Sequence, residues 1–349
     1  MRALRYHGPG DIRLEDVDEP EVGPGQVKLR IAYNGICGSD LHEYYTGPTM
    51  VPVSAPNPVT GVQAPVVIGH ECGGTVVAVG EGVNDVTPGT LVAVEPIQRC
   101  GRCRECVAGR YNLCSRMAAF GYTTGYGGLA EYTVVDRVMV HPLPVGFSEQ
   151  QSAVIEPLAV AYHAARRAEV LAGQTVVVHG AGPVGLGTAL TARHFGAEVI
   201  VVDPSPNRRA LVEALGGTTV LDPGDGDLVA AIRDLTDGRG AEASIDAAGA
   251  ASALRVAVES TAKEGSIVLV GVHHKPLELA AAPLMMGEID VRFSMTYRGD
   301  FPLVIEAMAA GAYPLDGWVS TVPIGDAVEK GFEALRNGGA MKILVDPAA

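Results

Sequence analysis

The sequence predicts an α/β protein in two parts: a mostly antiparallel β domain, and a doubly wound parallel sheet flanked by helices. Three observations carry that reading. Short apolar segments alternating at period two occupy the chain up to about residue 150. From 153 onward, strand-like and helix-like segments alternate, the pattern of βαβ units. The run Gly180-Ala181-Gly182-Pro183-Val184-Gly185 then stands where the first strand of the second part meets its helix. A length of 349 residues suits two domains rather than one core.

In the first part, Val27, Leu29 and Ile31 recur at period two, and Gly74–Val79 and Thr90–Val94 read as further strands. Pro24-Gly25 and Pro88-Gly89 are turn signals between them. The proline-rich stretch 43–62 reads as a long surface loop. In the second part, Val176–Val178 is a short buried-type strand, followed by a helix over 183–195, a strand over Val199–Val202 and a helix over 206–215. Helices over 227–235 and 251–262 precede strands at Ala243–Ala247 and Ile267–Val270. The tail holds a helix around 301–310, then Gly311, and a final strand Lys342–Val345 that is expected to rejoin the first domain.

Acidic residues outnumber basic ones 40 to 26, a net charge of −14, so a basic face for nucleic acid or anionic lipid is not expected. No apolar run reaches the length of a membrane span, and the N-terminal stretch has no apolar h-region of a secretory signal. A cytoplasmic protein is expected. The six cysteines all lie in the first third of a long chain, which argues against a secreted disulfide scaffold and for metal chemistry.

Gly180, Gly182 and Gly185 match G-x-G-x-x-G in its proper setting, after an apolar strand and opening a helix with Pro183 and Val184. The first glycine permits the tight turn, the second lets backbone approach a pyrophosphate, and the third lets helix and sheet pack closely. The helix N-terminus adds positive dipole. Asp203, at the end of the next strand, can accept the ribose hydroxyls of NAD and would repel a 2′-phosphate, with Arg208 and Arg209 near enough to blunt the repulsion. The rival reading is a strand–turn–helix with no cofactor, in which Asp203 is a turn residue.

Cys100, Cys103, Cys106 and Cys114 can close a tetrahedral thiolate cage with no open position, which is structural zinc. The rivals are a redox pair and a nucleic-acid-reading ribbon, the latter supported locally by Arg99, Arg102, Arg104 and Arg110. A second constellation is scattered: Cys37 and His70 each end a strand-like run, and Glu156 opens a helical one. One Cys, one His and one Glu plus water would be a catalytic metal site. Each also has an ordinary structural reading, as packing, a satisfied histidine and a helix-start carboxylate.

Taken in order, Cys37-Gly38-Ser39-Asp40, Gly69-His70-Glu71, the four-cysteine run, Glu156-Pro157-Leu158 and the glycine motif resemble the zinc-containing medium-chain alcohol dehydrogenases over essentially the whole chain. Residues 61–71 and Tyr297-Arg298-Gly299-Asp300-Phe301-Pro302 most resemble the (R,R)-2,3-butanediol dehydrogenases in that family, neighbours of the sorbitol and threonine dehydrogenases. The resemblance implies a GroES-like catalytic domain over 1–152 and 295–349, a Rossmann NAD-binding domain over 153–294, and an active site in the cleft. It implies two zinc ions per subunit, one catalytic and one structural. Cys37 and His70 carry over as ligands of the catalytic zinc, and Glu71 and Glu156 compete to be the third.

Asp40 carries over as the carboxylate that orients the ligand histidine. Cys72 is expected to be packing and His163 helix surface. Ser39 and His42 match the family's proton relay, and Val270, Gly271 and Val272 end a strand facing the nicotinamide. Zinc is expected to lower the pKa of the substrate hydroxyl, and hydride then passes to the nicotinamide. The implied substrate is a small vicinal diol or α-hydroxyketone, with Tyr44, Tyr45 and Met50 capping the cleft. A homodimer or homotetramer is expected. The alternatives are a sorbitol, other polyol or L-threonine dehydrogenase of the same family, and a non-catalytic dinucleotide-binding protein.

Overall fold

The structure is a computed structural model and describes residues 1–215 and 219–349. The chain forms two compact units, Met1–Glu156 with Leu315–Ala349, and Pro157–Pro314. Among the described residues no helix is long and apolar enough to cross a membrane.

The first unit is built on a seven-stranded sheet. Its order runs Val140–Pro142, Leu91–Val94, Glu71–Val79, Gln26–Gly35, Lys342–Asp346, Val319–Pro323, and Tyr132–Asp136 also pairs with Gln26–Gly35. Gln26–Gly35 alternates as its sequence demands, and Val27, Leu29 and Ile31 bury one face against Val76, Val92, Val94, Val135 and Met139. Bulges between Lys28 and Leu29 and between Ile31 and Tyr33 interrupt the strand's alternation, and Ile36, just past its end, belongs to a second core. That core joins Leu4, Tyr6, Ile68 and Leu129 to Phe332, Ile343 and Val345 from the other end of the chain. A three-stranded sheet of Asp11–Asp16, Arg2–Gly8 and Val66–Val67 flanks it.

The stretch expected as a surface loop is in part ordered by burial. Its first residues belong to a helix, Gly38–Thr46. Glu43 is fully buried, accepting the backbone N–H groups of Thr49, Met50 and Val51 and the Thr49 hydroxyl. Tyr44 stacks edge-on against Phe332 at 5.5 Å, and Tyr45 donates to Glu333 Oε1 at 2.6 Å. Both tyrosines therefore pack on the C-terminal segment, and Met50 is exposed.

The second unit holds a six-stranded parallel sheet in the order Thr219–Leu221, Glu198–Val202, Thr175–His179, Ala241–Asp246, Thr261–Leu269, Asp290–Phe293. Chain direction across the sheet reverses between Thr175–His179 and Ala241–Asp246, the switch point where such sheets bind ligands. The expected helices are Pro183–His194, Pro206–Ala214, Leu228–Asp234 and Ala251–Ser260. Ala281–Gly287 and the edge strand Asp290–Phe293 were not legible in the pattern.

The second unit extends to Pro314, past the boundary expected at 294, because the segment after 295 is tied into it. Asp300 is fully buried and accepts from Arg166 Nη1 at 2.7 Å and from Arg298 N at 2.7 Å, with His163 Nδ1 at 2.9 Å. Tyr313 OH lies 2.8 Å from Thr191 Oγ1, both buried. His163 is thus not helix surface but a buried partner of Asp300. Burial alone would raise the Asp300 pKa, but His163, the Arg298 N–H and Arg166 outweigh it and hold the carboxyl below its ordinary value. Asp300→Ala strands those partners and should lower the unfolding free energy by about 3 kcal/mol. A depressed acid stabilises above its unfolded pKa and stops doing so as pH falls through its folded one. Urea midpoints of wild type and variant should therefore differ at neutral pH and converge on acidification.

Candidate active site

Three metal-ligating side chains meet at the end of the strand Gln26–Gly35, where it pairs with Glu71–Val79 on one side and Lys342–Asp346 on the other. Cys37 follows the strand Gln26–Gly35 and caps the helix Gly38–Thr46. His70 precedes and Glu71 opens the neighbouring strand, placed by Gly69 at φ +96, a backbone angle only glycine adopts freely. A Cβ on Gly69 would also strike Leu129 and the Asn34 amide, and a Cβ on Gly35 would overlap the Glu71 carboxylate. The ligand atoms of Cys37, His70 and Glu71 all lie within 4.8 Å of one another. A thiolate, an imidazole and a carboxylate fit zinc with a position left open. Glu156 is buried near Cys72 and Lys342 but does not belong to this converging set.

Asp40 organises the cluster. It is buried in the first helical turn, where Oδ2 accepts from Cys37 N at 2.8 Å. Oδ1 takes the Tyr122 phenol at 2.7 Å and stands 3.5 Å from His70 Nδ1. Tyr122 also lies 2.9 Å from Ser39 Oγ. A phenol has one proton and a carboxylate can only accept, so the proton lies toward Asp40 and Ser39 supplies its own to the phenolic oxygen. Burial, then the Asp40 charge, raise the Tyr122 pKa well above its ordinary value, so this donor stays protonated.

Glu71 is held by Lys342, whose Nζ reaches Oε1 at 2.8 Å and Oε2 at 2.6 Å and gives its third proton to Ile36 O at 3.0 Å. Burial disfavours the ammonium, but Glu71 together with the Cys37 and Glu156 charges outweighs it and the Lys342 pKa is raised.

The four-cysteine cluster also converges. Sγ separations are 4.0 Å for Cys100–Cys106, 3.9 Å for Cys103–Cys114 and 3.5 Å for Cys100–Cys114. A tetrahedron with zinc–sulfur bonds of about 2.3 Å requires about 3.8 Å between sulfurs. Backbone N–H groups of Cys100, Cys103, Cys106 and Arg116 point at these sulfurs, as suits thiolates. The cluster fits structural zinc and leaves no vacant ligand position.

The dinucleotide motif lies at the switch point. Gly182 caps the helix Pro183–His194 without any side-chain cap, leaving its first N–H groups for an anion. A Cβ on Gly182 would meet nothing nearer than Arg208 Nη1 at 4.0 Å, whereas one on Gly185 would collide with Gly180 O. The approach to Gly182 is open and the helix packs closely on the strand end at Gly185. Asp203 is buried, accepting from Ala181 N at 2.7 Å and Ser205 N at 2.8 Å, with Arg208 at 3.7 Å. Arg209 is held by Asp222 at 2.7 Å and by the Asp203 carbonyl.

Comparison with known proteins agrees with this geometry. Residues 23–145 match the alcohol dehydrogenase GroES-like domain, and 183–310 match the zinc-binding dehydrogenase domain. The chain is 38% identical to an (R,R)-butanediol dehydrogenase of Bacillus subtilis over 99% of its own length and 100% of that protein. It is 34% identical to a sorbitol dehydrogenase of Bombyx mori over 98% of the chain and 97% of that protein. The crystal structure of 2R,3R-butanediol dehydrogenase from Bacillus subtilis superposes with a TM-score of 0.94, 38% identity and 99% coverage of both chains. The chain belongs to the zinc-type medium-chain alcohol dehydrogenase family.

As a member of that family it is an NAD-dependent zinc alcohol dehydrogenase, with a GroES-like unit, a Rossmann unit, and one catalytic-type and one structural-type metal cluster. Two residues at this dehydrogenase's metal site escaped the sequence reading. Lys342 left a signal, a cation opening an otherwise apolar strand, Lys342-Ile343-Leu344-Val345. Tyr122 left none, since only the fold brings it to Asp40. His42 is exposed on the same helix as Ser39. Val270 and Gly271 have their N–H groups committed to Asp246 O, while Val272 projects 71% exposed.

The two clusters should separate on metal analysis. Purified protein should carry two zinc ions per chain. Cys103→Ser should lose one together with folded protein, because structural zinc binding is folding free energy. Cys37→Ser should lose the other and all turnover while retaining its circular dichroism spectrum and NADH binding.

Proposed function

We propose that this dehydrogenase oxidises a small vicinal diol to an α-hydroxyketone with NAD, its substrate pair being (R,R)-2,3-butanediol and acetoin. The observation that carries this is the full-length similarity to the butanediol dehydrogenase of Bacillus subtilis, in sequence and in backbone. Site chemistry supports it. Cys37, His70 and Glu71 are the ligands we assign to the catalytic zinc, with Glu156 as the carboxylate that can replace Glu71 when Lys342 draws it away. Three protein donors leave one tetrahedral position, and expansion to five-coordination would admit a second neighbouring oxygen, which a monohydric alcohol does not offer.

Bound zinc would supply Lewis-acid polarisation of the substrate hydroxyl, and bound NAD would accept the hydride. The chain does the rest. Asp40 steers the His70 ring and the Cys37 backbone together. In the relay, Ser39 Oγ takes the substrate proton as its own proton turns from Tyr122 toward solvent and His42, exposed one turn along the helix, which hands a proton on to water. Asp203 selects NAD over NADP by refusing a 2′-phosphate, and Gly180, Gly182, Pro183, Val184 and Gly185 hold the pyrophosphate. We place the reaction in the cytoplasm, where its six thiols stay reduced. The edge strand Asp290–Phe293, with Phe293, Met285 and Met286 exposed, is the surface on which we expect two or four copies to associate.

The test is kcat/KM with NAD for (R,R)-, meso- and (S,S)-butanediol, 2-butanol, sorbitol and threonine. The (R,R) isomer should lead. Sorbitol or threonine ahead of every butanediol isomer would overturn the substrate and leave the family standing. In the same assay Ser39→Ala should be slower than His42→Ala, and imidazole buffer should restore part of the rate of His42→Ala alone.

A further inference from the structure

Asp246 ends the strand Ala241–Asp246 on the far side of the switch point from Asp203, and it is fully buried. Every acceptor it has is in use. Its carbonyl oxygen accepts from Val270 N at 3.0 Å and Gly271 N at 2.8 Å. Oδ1 accepts from Ala248 N and Gly249 N, both at 2.9 Å. Oδ2 lies 2.7 Å from His273 Nε2, and since a carboxylate only accepts, the ring proton is on that nitrogen. Through this one residue, the loop after its own strand and the loop after the next strand become a single block.

The glycines show how tight the block is. A Cβ on Gly249 would strike Val272 O, and one on Gly271 would strike Gly249 N. Neither loop can shift without the other. His179, the register neighbour of Asp246, is buried with Nε2 unpartnered, and burial drives its pKa down to about 4 against the pull of Asp246. Of the two histidines, His273 is the one hydrogen-bonded to the Asp246 carboxylate.

A dinucleotide straddles the switch point of such a sheet. With Asp203 on the adenosine half and the pyrophosphate at Gly180–Gly185, the nicotinamide half falls on the ends of Ala241–Asp246 and Thr261–Leu269. The exposed apolar Val272 stands on that platform. We propose that Asp246 and His273 are positioning residues for the nicotinamide half of the cofactor: the pair locks 270–273 to 247–249, so the backbone on which the nicotinamide lies is ordered before the cofactor arrives. Ordering that would otherwise be lost from the binding free energy is already complete. The inference rests on the NAD reading above.

NADH and ADP-ribose, which has no nicotinamide, separate the possibilities. Dissociation constants are measured on zinc-loaded protein, by nicotinamide fluorescence for NADH and by calorimetry for ADP-ribose. His273→Ala should weaken NADH about tenfold, the scale of one charge-assisted hydrogen bond. It should leave ADP-ribose unchanged. His273→Gln, which keeps an N–H donor at the same reach, should restore NADH binding to within about twofold. Unchanged NADH affinity in folded His273→Ala overturns the proposal, and so does equal weakening of both ligands, which would mark general damage to the fold. Wild-type protein that binds neither ligand would instead overturn the cofactor reading itself.

Discussion

The buried pair of Lys342 and Glu71 is the constraint on which the metal site depends. Taking two charges out of water costs several kcal/mol per ion, and the cost is recovered only when geometry and additional hydrogen bonds are complete. Here they are: each ammonium proton has an acceptor, two on Glu71 and one on Ile36. Lys342 opens the last strand of the chain and Glu71 opens a strand from its first third, so the ligand shell forms only after the tail has returned. Ile343 and Val345 bury their side chains in the same core as Ile36 and Ile68, which makes that return favourable independently of any metal.

Buried carboxylates recur as the organising device. Asp40 gathers Cys37, His70 and Tyr122. Glu43 gathers Thr49, Met50 and Val51. Asp203 ties the glycine turn to its own strand end, Asp246 joins two strand-end loops, and Asp300 binds Arg166, Arg298 and His163. All five are buried. Each replaces water with several donors aimed at one carboxylate, which offsets the cost of burying it. Part of the acidic excess therefore lies in the interior, where it shapes loops.

The second unit was the more legible. Its central strands Thr175–His179 and Glu198–Val202 are nearly continuous buried apolar runs, and the glycine motif requires its own strand–turn–helix context. The strand expected at Val199–Val202 is Glu198–Val202, and the helix expected over 183–195 is Pro183–His194. The first unit was less so. The helix Gly38–Thr46 is short and begins with glycine, its apolar side is only Leu41, Tyr44 and Tyr45, and its start is marked by a cap of Cys37 and Asp40 rather than by a usual N-cap residue. The edge strand Asp290–Phe293 is short and exposed, so it carries no burial pattern to read.

By itself the sequence determined which chemistries are present and in what local form. Cysteine spacing set a closed thiolate cage, the glycine motif set an anion-binding turn, and period changes set the order of β and α elements. These are short-range properties, because spacing along the chain fixes distance only within a turn or a loop. Tertiary structure alone decided which carboxylate meets Cys37 and His70, that Lys342 neutralises it, that Tyr122 reaches Asp40, and that Asp246 and His273 join two loops. These partners lie tens to hundreds of residues apart, and only sheet register and core packing bring them within hydrogen-bonding reach.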